Sequence, residues 1–520
     1  MPLQKVLLKP GVNRENTRYT TEGGWYECNN VRFRQGNPEI IGGWTPFTLN
    51  TFLGVCRSLW NWATLGSVNL IGLGTNLKFY IAEGGFFNDV TPIRATTTLG
   101  ANPFTGNGTT TVTVTAPSHG AVNGDYVTFS GVTGTYATLL NAQYQITFIS
   151  ANSYSITTSS AVAAGATGGA AVVAAYQLNT GPAYTIPLSG WGAGSWGAGA
   201  WGVGGTSNTG IRLWTQMNYG QDLIYGPRGG GMYYWNATSG VSVRGVNLNT
   251  LGGTVTFTVA SPTVATFTTV LTEGTAVQFS ASTGGALPTG ISSATTYYLI
   301  NVNGVTANLL DTSGNLVNVT VAGVGTFSVS LLVDVPTVQN VISISDTSRF
   351  VFAMGCNDYG SVTQDPMLIR WSDQDNPYVW TPDATNQAGS LRVSHGTEIV
   401  TAIQTRQEVV VFTDASVYSL QYLGPPVVWS SQILGDNISI AGPNATALAS
   451  GVIYWMGVDK FYAYDGRVNT LNCDLRRHVF NDFNISQRAQ VYSGTSEAFN
   501  EVWWFYCSAN STVKIGRAHV

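Results

Sequence analysis

The sequence predicts an all-β protein: a β-propeller-like core of about six blades with two inserted small β-barrel or β-sandwich modules. Three observations carry this expectation. The first is composition. Of 520 residues, 61 are glycine, 12% are aromatic and only 10% are charged, so solubility rests on Thr, Ser, Asn and Gln, a mixture that suits half-buried strands joined by tight turns. Helix-period runs are nearly absent. The second is a recurrent unit of apolar strand, turn, second apolar strand, Gly- or Asp-bearing turn and aromatic strand. The third is a pair of longer segments, set between the units, that match each other.

Residues 1–50 read as an N-terminal arm and first strands. The start, MPLQKVLLKPGVNREN, has an apolar run too short for the core of a signal peptide and broken by Pro10. No stretch of the chain approaches the length of a membrane span, so neither classical export nor a membrane partner is expected. Residues 51–99 form the first blade and 209–250 the next. Leu59-Trp60 matches Leu213-Trp214, Leu70-Ile71-Gly72 matches Leu223-Ile224-Tyr225-Gly226, and Lys78-Phe79-Tyr80 matches Met232-Tyr233-Tyr234. Similar units at 349–377, 399–424, 445–467 and 489–508 place the remaining blades in 333–513. A β-sandwich would also show hairpins at this spacing; recurrence of the turn and aromatic positions together favours blades.

The inserted modules span 100–176 and 251–332. GDYVTFSG (124–131) matches GTAVQFSA (274–281), pairing Gly124 with Gly274, Val127 with Val277 and Phe129 with Phe279. Both alternate Val, Thr, Tyr and Phe between Gly and Asn turns, beside low-complexity Ala, Gly and Thr stretches.

Residues 177–208 hold WGAGSWGAGAWG, which spaces Trp191, Trp196 and Trp201 five apart on glycine and alanine. Five is the period of neither a helix face nor a strand face, and glycine at this density holds no helix, so the segment is a loop. Its indoles either pack back on their own domain or meet another chain. Trp60, Trp214, Tyr234, Trp371, Trp455 and Trp503 already supply the blades with aromatics, so the three loop indoles are expected at an interface. The last seven residues, 514–520, read as a translated sequencing adapter; the natural frame is expected to continue past Val513.

No catalytic, cofactor or metal site is expected, and the chain is not expected to be an enzyme. His119 and His395 lie in Ser-His-Gly turns, His478 follows Arg476 and Arg477, and His519 lies in the adapter-like tail; none has a partner at metal or triad spacing. Asp373 and Asp375 of SDQDN lack the further carboxylates of a calcium site and suit a capped turn. GPRGGG (226–231) departs from the phosphate-loop pattern. Cys28, Cys56, Cys356, Cys473 and Cys507 are scattered and odd in number, and read as buried free thiols.

Three stretches resemble the tail nozzle, or packaged-DNA stabilisation, proteins of short-tailed bacteriophages. KPGVNRENTRYTTEGGWYECNNVRFRQGNPEIIGGW (9–44) has the family's Gly-Trp-Tyr, Asn-x-Val-Arg-Phe and Gly-Gly-Trp phrases. The Trp-Gly repeat is similar to one that these proteins carry, and the longest similarity lies within 369–506. The resemblance covers about half the chain and does not include the two modules, which are similar instead to β-modules of phage structural proteins. It implies a structural virion protein of the tail, present in the host cytoplasm during assembly. It further implies a homo-oligomeric ring, a hexamer, that binds portal, adaptor and other tail proteins, retains packaged DNA and forms the channel for its ejection.

Charge agrees with that role. A net charge of −4 is the wrong sign for gripping phosphate by counterion release and suits a wall past which DNA moves without sequence-specific contact. The alternative is a carbohydrate- or receptor-binding tail module, because Trp-rich β-folds also stack sugars. A secreted β-propeller hydrolase would need a convergent acidic or His-containing site that the sequence does not display.

Overall fold

The computed structural model describes residues 8–519 apart from 21–22, 187–209, 251–252, 269–270, 272, 283–284, 294, 332–333, 385, 510 and 513–514. The chain is all-β. Six antiparallel sheets follow one another in sequence, each with its strands in chain order. Sheet 1 runs Cys56–Ala63, Asn69–Thr75, Phe79–Glu83, Phe86–Asp89; sheet 2 runs Trp214–Tyr219, Asp222–Pro227, Tyr233–Trp235, Val246–Asn247. Sheet 3 spans Val341–Ile344 to Gly389–Arg392, sheet 4 Ile399–Gln404 to Val428–Asp436, and sheet 5 Thr446–Ala449 to Val468–Leu471. Sheet 6 has three strands, Tyr492–Ser496, Glu501–Cys507 and Ile515–His519.

The first strands of all six sheets meet around one cavity of about 240 Å³, to which they contribute Ser58, Gln216, Ile342, Thr401, Thr446 and Ser493. Neighbouring sheets are tied to one another around it. The Gln216 amide donates to Gly72 O at 3.1 Å (sheets 2 and 1) and Ile342 N to Thr215 Oγ1 at 2.8 Å (sheets 3 and 2). Phe412 of sheet 4 packs edge-on against Trp455 of sheet 5, and Ser493 N of sheet 6 bonds Asn444 O before sheet 5. Asn444 in turn donates to Arg57 O of sheet 1. Asn340 Nδ2, before sheet 3, donates to Ile399 O of sheet 4 at 3.4 Å, which closes the circuit, with sheet 4 opposite sheet 1 and sheet 3 opposite sheet 6.

The matched phrases occupy equivalent strands. Leu70-Ile71-Gly72 and Leu223-Ile224-Tyr225-Gly226 lie in second strands, Phe79-Tyr80 and Tyr233-Tyr234 in third strands. Trp214, Trp371 and Trp455 are buried as expected, whereas Trp60, Tyr234 and Trp503 are half-buried at the margins of the cores. Cys356 and Cys507 are buried free thiols, but Cys28, Cys56 and Cys473 are only half-buried, a correction to the sequence expectation: they lie on the arm or near sheet margins.

One boundary differs from expectation. The first module begins before residue 100, because Ile93–Thr98 pairs with Val173–Gln177 and completes the module's four-stranded sheet. Sheet 1 ends with its fourth strand at Asp89, and the chain beyond Pro92 pairs with the module instead. The module's second sheet has five strands, and the two enclose their own core of Phe104, Phe129, Tyr154, Tyr176 and aliphatic neighbours. The second module, Thr254–Phe257 to Phe327–Leu331, is a closed six-stranded barrel. Its core is not separate: through Leu248 and Val335 it runs into the apolar side chains of sheets 2 and 3. The matched positions keep their roles in both modules. Gly124 and Gly274 turn at φ +92° and +83°, where a side chain would be strained, and Val127, Phe129, Val277 and Phe279 are all buried.

The third strand of sheet 6 lies in the adapter-like tail, its backbone pairing Ile515 with Cys507 through His519 with Trp503. Ladder hydrogen bonds are made by main chain and accept any extended segment in register, so this pairing says nothing of the segment's origin.

Candidate functional site

Next to the axial cavity lies an opening of about 1050 Å³ that shares Leu213, Arg228, Asn340, Val400 and Pro443 with it. The opening is bordered by the stretches around Thr180–Thr185, Gly210–Leu213, Ile440–Pro443 and Ile485–Ala489. The described residues that flank the Trp/Gly loop, Thr185 and Gly210, lie at this rim. Thr185 N donates to Gln487 Oε1 at 3.0 Å and Gln487 Nε2 to Thr185 O at 2.7 Å. On the returning side Arg212 N donates to Pro182 O, and the Arg212 guanidinium to Asn179 O at 2.8 Å. Trp191, Trp196 and Trp201 themselves lie outside the described residues.

Arg228, at the end of the second strand of sheet 2, lines both the axial cavity and its opening. Its Nη1 donates to Val400 O at 2.7 Å and Asn340 O at 3.1 Å, and its Nη2 to Ile399 O at 3.2 Å. One guanidinium thus bonds main-chain carbonyls at the starts of sheets 3 and 4. Burial lowers its proton affinity to a pKa of about 10, only partly offset by Glu398. This leaves it a fixed cation at any physiological pH. Its work is to hold three sheets at one point.

The sequence-selected histidines and acidic turn are used structurally. His119 Nε2 lies 2.8 Å from Ser150 O, its Nδ1 accepts from Ala121 N, and its ring packs against Tyr154. His395 N donates to Tyr418 OH, and the His478 ring meets the Arg14 guanidinium. Asp373 accepts from Gln387 N at 2.8 Å and Asp375 pairs with Arg349, so SDQDN caps a turn. Among the described residues no three His, Cys, Asp or Glu side chains gather to hold a metal ion, and no helix is long and apolar enough to cross a membrane.

No family model matches the chain, and no curated protein matches it. Solved structures with some likeness include the extracellular domain of a one-component system from B. thetaiotaomicron, at 12% identity and TM-score 0.21, over 56% of this chain and 36% of that one. PorZ of the Porphyromonas gingivalis type-IX secretion system aligns at 8% identity and TM-score 0.24, over 84% and 60%. The endosialidase of phage phi92 aligns at 12% identity and TM-score 0.15, over 90% and 75%. The chain thus spans less than two thirds of the first two. Likenesses this low carry no inference about function.

Proposed function

We propose that this chain is a structural subunit of a short-tailed phage tail, part of the ring below the portal that retains packaged DNA and forms the channel for its ejection. The observation that carries the reading is the run of phrases at 9–44 and within 369–506 that resemble the nozzle family. Their places in the fold support it: the arm within 9–44 contacts the helix that follows sheet 5 through Glu15 and sheet 6 through Arg32 and Trp44, and 369–506 runs from sheet 3 through sheet 6. An axial cavity of about 240 Å³ passes no duplex, so in this reading the channel lies between copies in a ring, a hexamer by the resemblance. Trp191, Trp196 and Trp201, carried on a loop rooted at the axial opening, are the proposed contact to a neighbouring chain, adaptor or portal. No side chain is given a catalytic role.

The test is co-purification of the chain with portal or adaptor rings, together with DNA retention in particles assembled without it. Particles that keep their DNA, and rings that leave the chain behind, refute the reading. The alternative of a carbohydrate- or receptor-binding tail module draws on exposed aromatics such as Trp44; binding on a glycan array would favour it.

A further inference from the structure

The N-terminal arm crosses from sheet 6 to sheet 1 and leaves its apolar side chains outside. Trp44 rests on Trp503 at 5.6 Å, Thr48 Oγ1 and Asn50 Nδ2 donate to Gly85 O, and Leu53 N donates to Tyr80 OH. The path of the arm is therefore fixed by polar contacts to the outer turn of sheet 1. Yet Trp44 is 73% exposed, Phe47 75% and Leu49 95%, with Phe86 of the adjoining outer strand exposed beside them. From Ile40 to Val55 there is no charged residue. A pinned, uncharged run of large apolar side chains in water marks a contact surface.

A second apolar patch lies across the molecule. Sheet 4 ends in a long hairpin, Ser416–Gly424 with Val428–Asp436, whose outer end exposes Leu423 (61%) and Val427 (58%) beside Tyr422. Sheet 4 stands opposite sheet 1, so the two patches face away from each other. The chain segments that carry them differ in charge. Residues 1–56 hold six Lys and Arg against four Glu, whereas 341–436, which form sheets 3 and 4, hold four Arg against ten Asp and Glu. Arg18 and Arg34 of the arm are exposed, and the ion pairs of the described residues do not use them.

We infer that the arm around Trp44, Phe47 and Leu49 docks on the sheet 4 hairpin around Leu423 and Val427 of a second copy of this chain. The partner is a second copy because this chain supplies both halves, apolar against apolar and basic against acidic, on opposite sides. Two different surfaces on one subunit make a head-to-tail contact, which closes into a ring when the rotation between copies permits. Aromatic anchors at its centre match the composition of stable interfaces. The inference rests on the ring proposed above and names the surfaces that build it.

The experiment measures the mass of the full-length chain by native mass spectrometry and light scattering over a concentration series. The arm variant W44S/F47S/L49S and the hairpin variant L423S/V427S each replace exposed side chains, and circular dichroism checks their fold. Each variant alone is expected to be monomeric. Mixed together they are expected to form dimers and nothing larger, because the hairpin variant still offers an arm and the arm variant still offers a hairpin. Assembly of either variant like the wild type overturns the inference, as does a wild-type chain that stays monomeric at its highest soluble concentration. Loss of only the arm variant's assembly, with no dimer on mixing, would mean an arm-to-arm contact and also overturns it. Adaptor or portal binding is not read here, so failure of the nozzle reading and failure of this contact are distinguishable.

Discussion

Replacing Asp89 with Asn should loosen the joint between sheet 1, sheet 2 and the first module. Asp89 ends the last strand of sheet 1 and accepts from Lys78 Nζ at 2.8 Å, Arg244 Nη1 and Nη2 at 3.1 and 3.2 Å, Gln177 Nε2 at 3.0 Å and Thr91 N at 3.0 Å. Lys78 belongs to sheet 1, Arg244 to sheet 2, Gln177 to the module, whose Gln143 also accepts from Lys78. The Lys78 side chain is 4% exposed and that of Asp89 20%. Removing one partner of a buried pair costs about 3 to 5 kcal/mol because a charge is left buried alone. Partial exposure of Asp89 and Arg244 puts the expected cost at the low end, about 3 kcal/mol. Native-state hydrogen exchange at Val173–Gln177 and Phe86–Asp89 reads it as roughly a hundredfold faster exchange.

The pH dependence has a definite sign. Burial raises the Asp89 carboxyl, but Arg244 and Lys78 outweigh it and hold the group well below the usual carboxylate range. A carboxylate depressed in the folded state stabilises above its unfolded pKa of about 3.9 and loses that contribution as pH falls below it. The gap between wild type and D89N should therefore be constant from pH 5 to 8 and close below pH 4. Adding Lys78→Met to D89N should recover part of the loss, since burial already works against the Lys78 ammonium. Exchange in D89N within threefold of wild type, or a gap unchanged at pH 3, would refute the reasoning.

Further outcomes are expected elsewhere. Changing Trp191, Trp196 and Trp201 to Ala should leave circular dichroism and thermal melting of the monomer unchanged while abolishing ring assembly or adaptor docking; loss of the monomer's fold would return the indoles to its own core. Replacing residues 93–177 with a short Gly-Ser linker should leave the six sheets folded by size exclusion and circular dichroism, because the module's core is its own. Deleting only 100–176 should be worse, since it strands Ile93–Thr98 without Val173–Gln177. Arg228→Met removes the donor shared by Asn340 O, Val400 O and Ile399 O and should lower stability on the order of 2 kcal/mol in urea denaturation. In the native protein Cys356, its thiol pushed up to about 12 by burial, and Cys56, pushed to about 11, should resist iodoacetamide at pH 8, as mass spectrometry of the alkylated chain would record.

Strand content and the repeat were legible because both are local. Leu-Ile-Gly in second strands and paired aromatics in third strands recur at fixed spacing, and alternation shows in single strands: within Glu501–Cys507, Trp504 is buried while Trp503 turns outward to Trp44. The twin glycines 124 and 274 were likewise readable, yet their segments close differently, one into two sheets and one into a barrel. Closure depends on which strands meet at the ends, which a shared eight-residue phrase does not fix. The 100-residue boundary was misplaced for a related reason. Ile93–Thr98 is as good a strand for a blade as for a module, and only its partner 80 residues away decides.

What the sequence hid most completely is where a charge-poor chain puts its few charges. Arg32 pairs with Glu501 with both side chains buried, joining arm to sheet 6 across the length of the chain. Asp89 takes Lys78 and Arg244 at the junction of sheet 1, sheet 2 and the first module, and Arg370, fully buried in sheet 3, takes Asp334 from the segment leaving the barrel. Arg228 does the same with carbonyls alone. Each joint unites segments that are distant in sequence, so no spacing rule marks it. Buried ion pairs add little net stability over apolar packing, but a wrong docking leaves a charge without its partner and is strongly disfavoured. Six similar sheets with interchangeable apolar faces need such a device, because hydrophobic burial alone barely distinguishes one order of blades from another. The buried charges favour the docking in which each finds its partner.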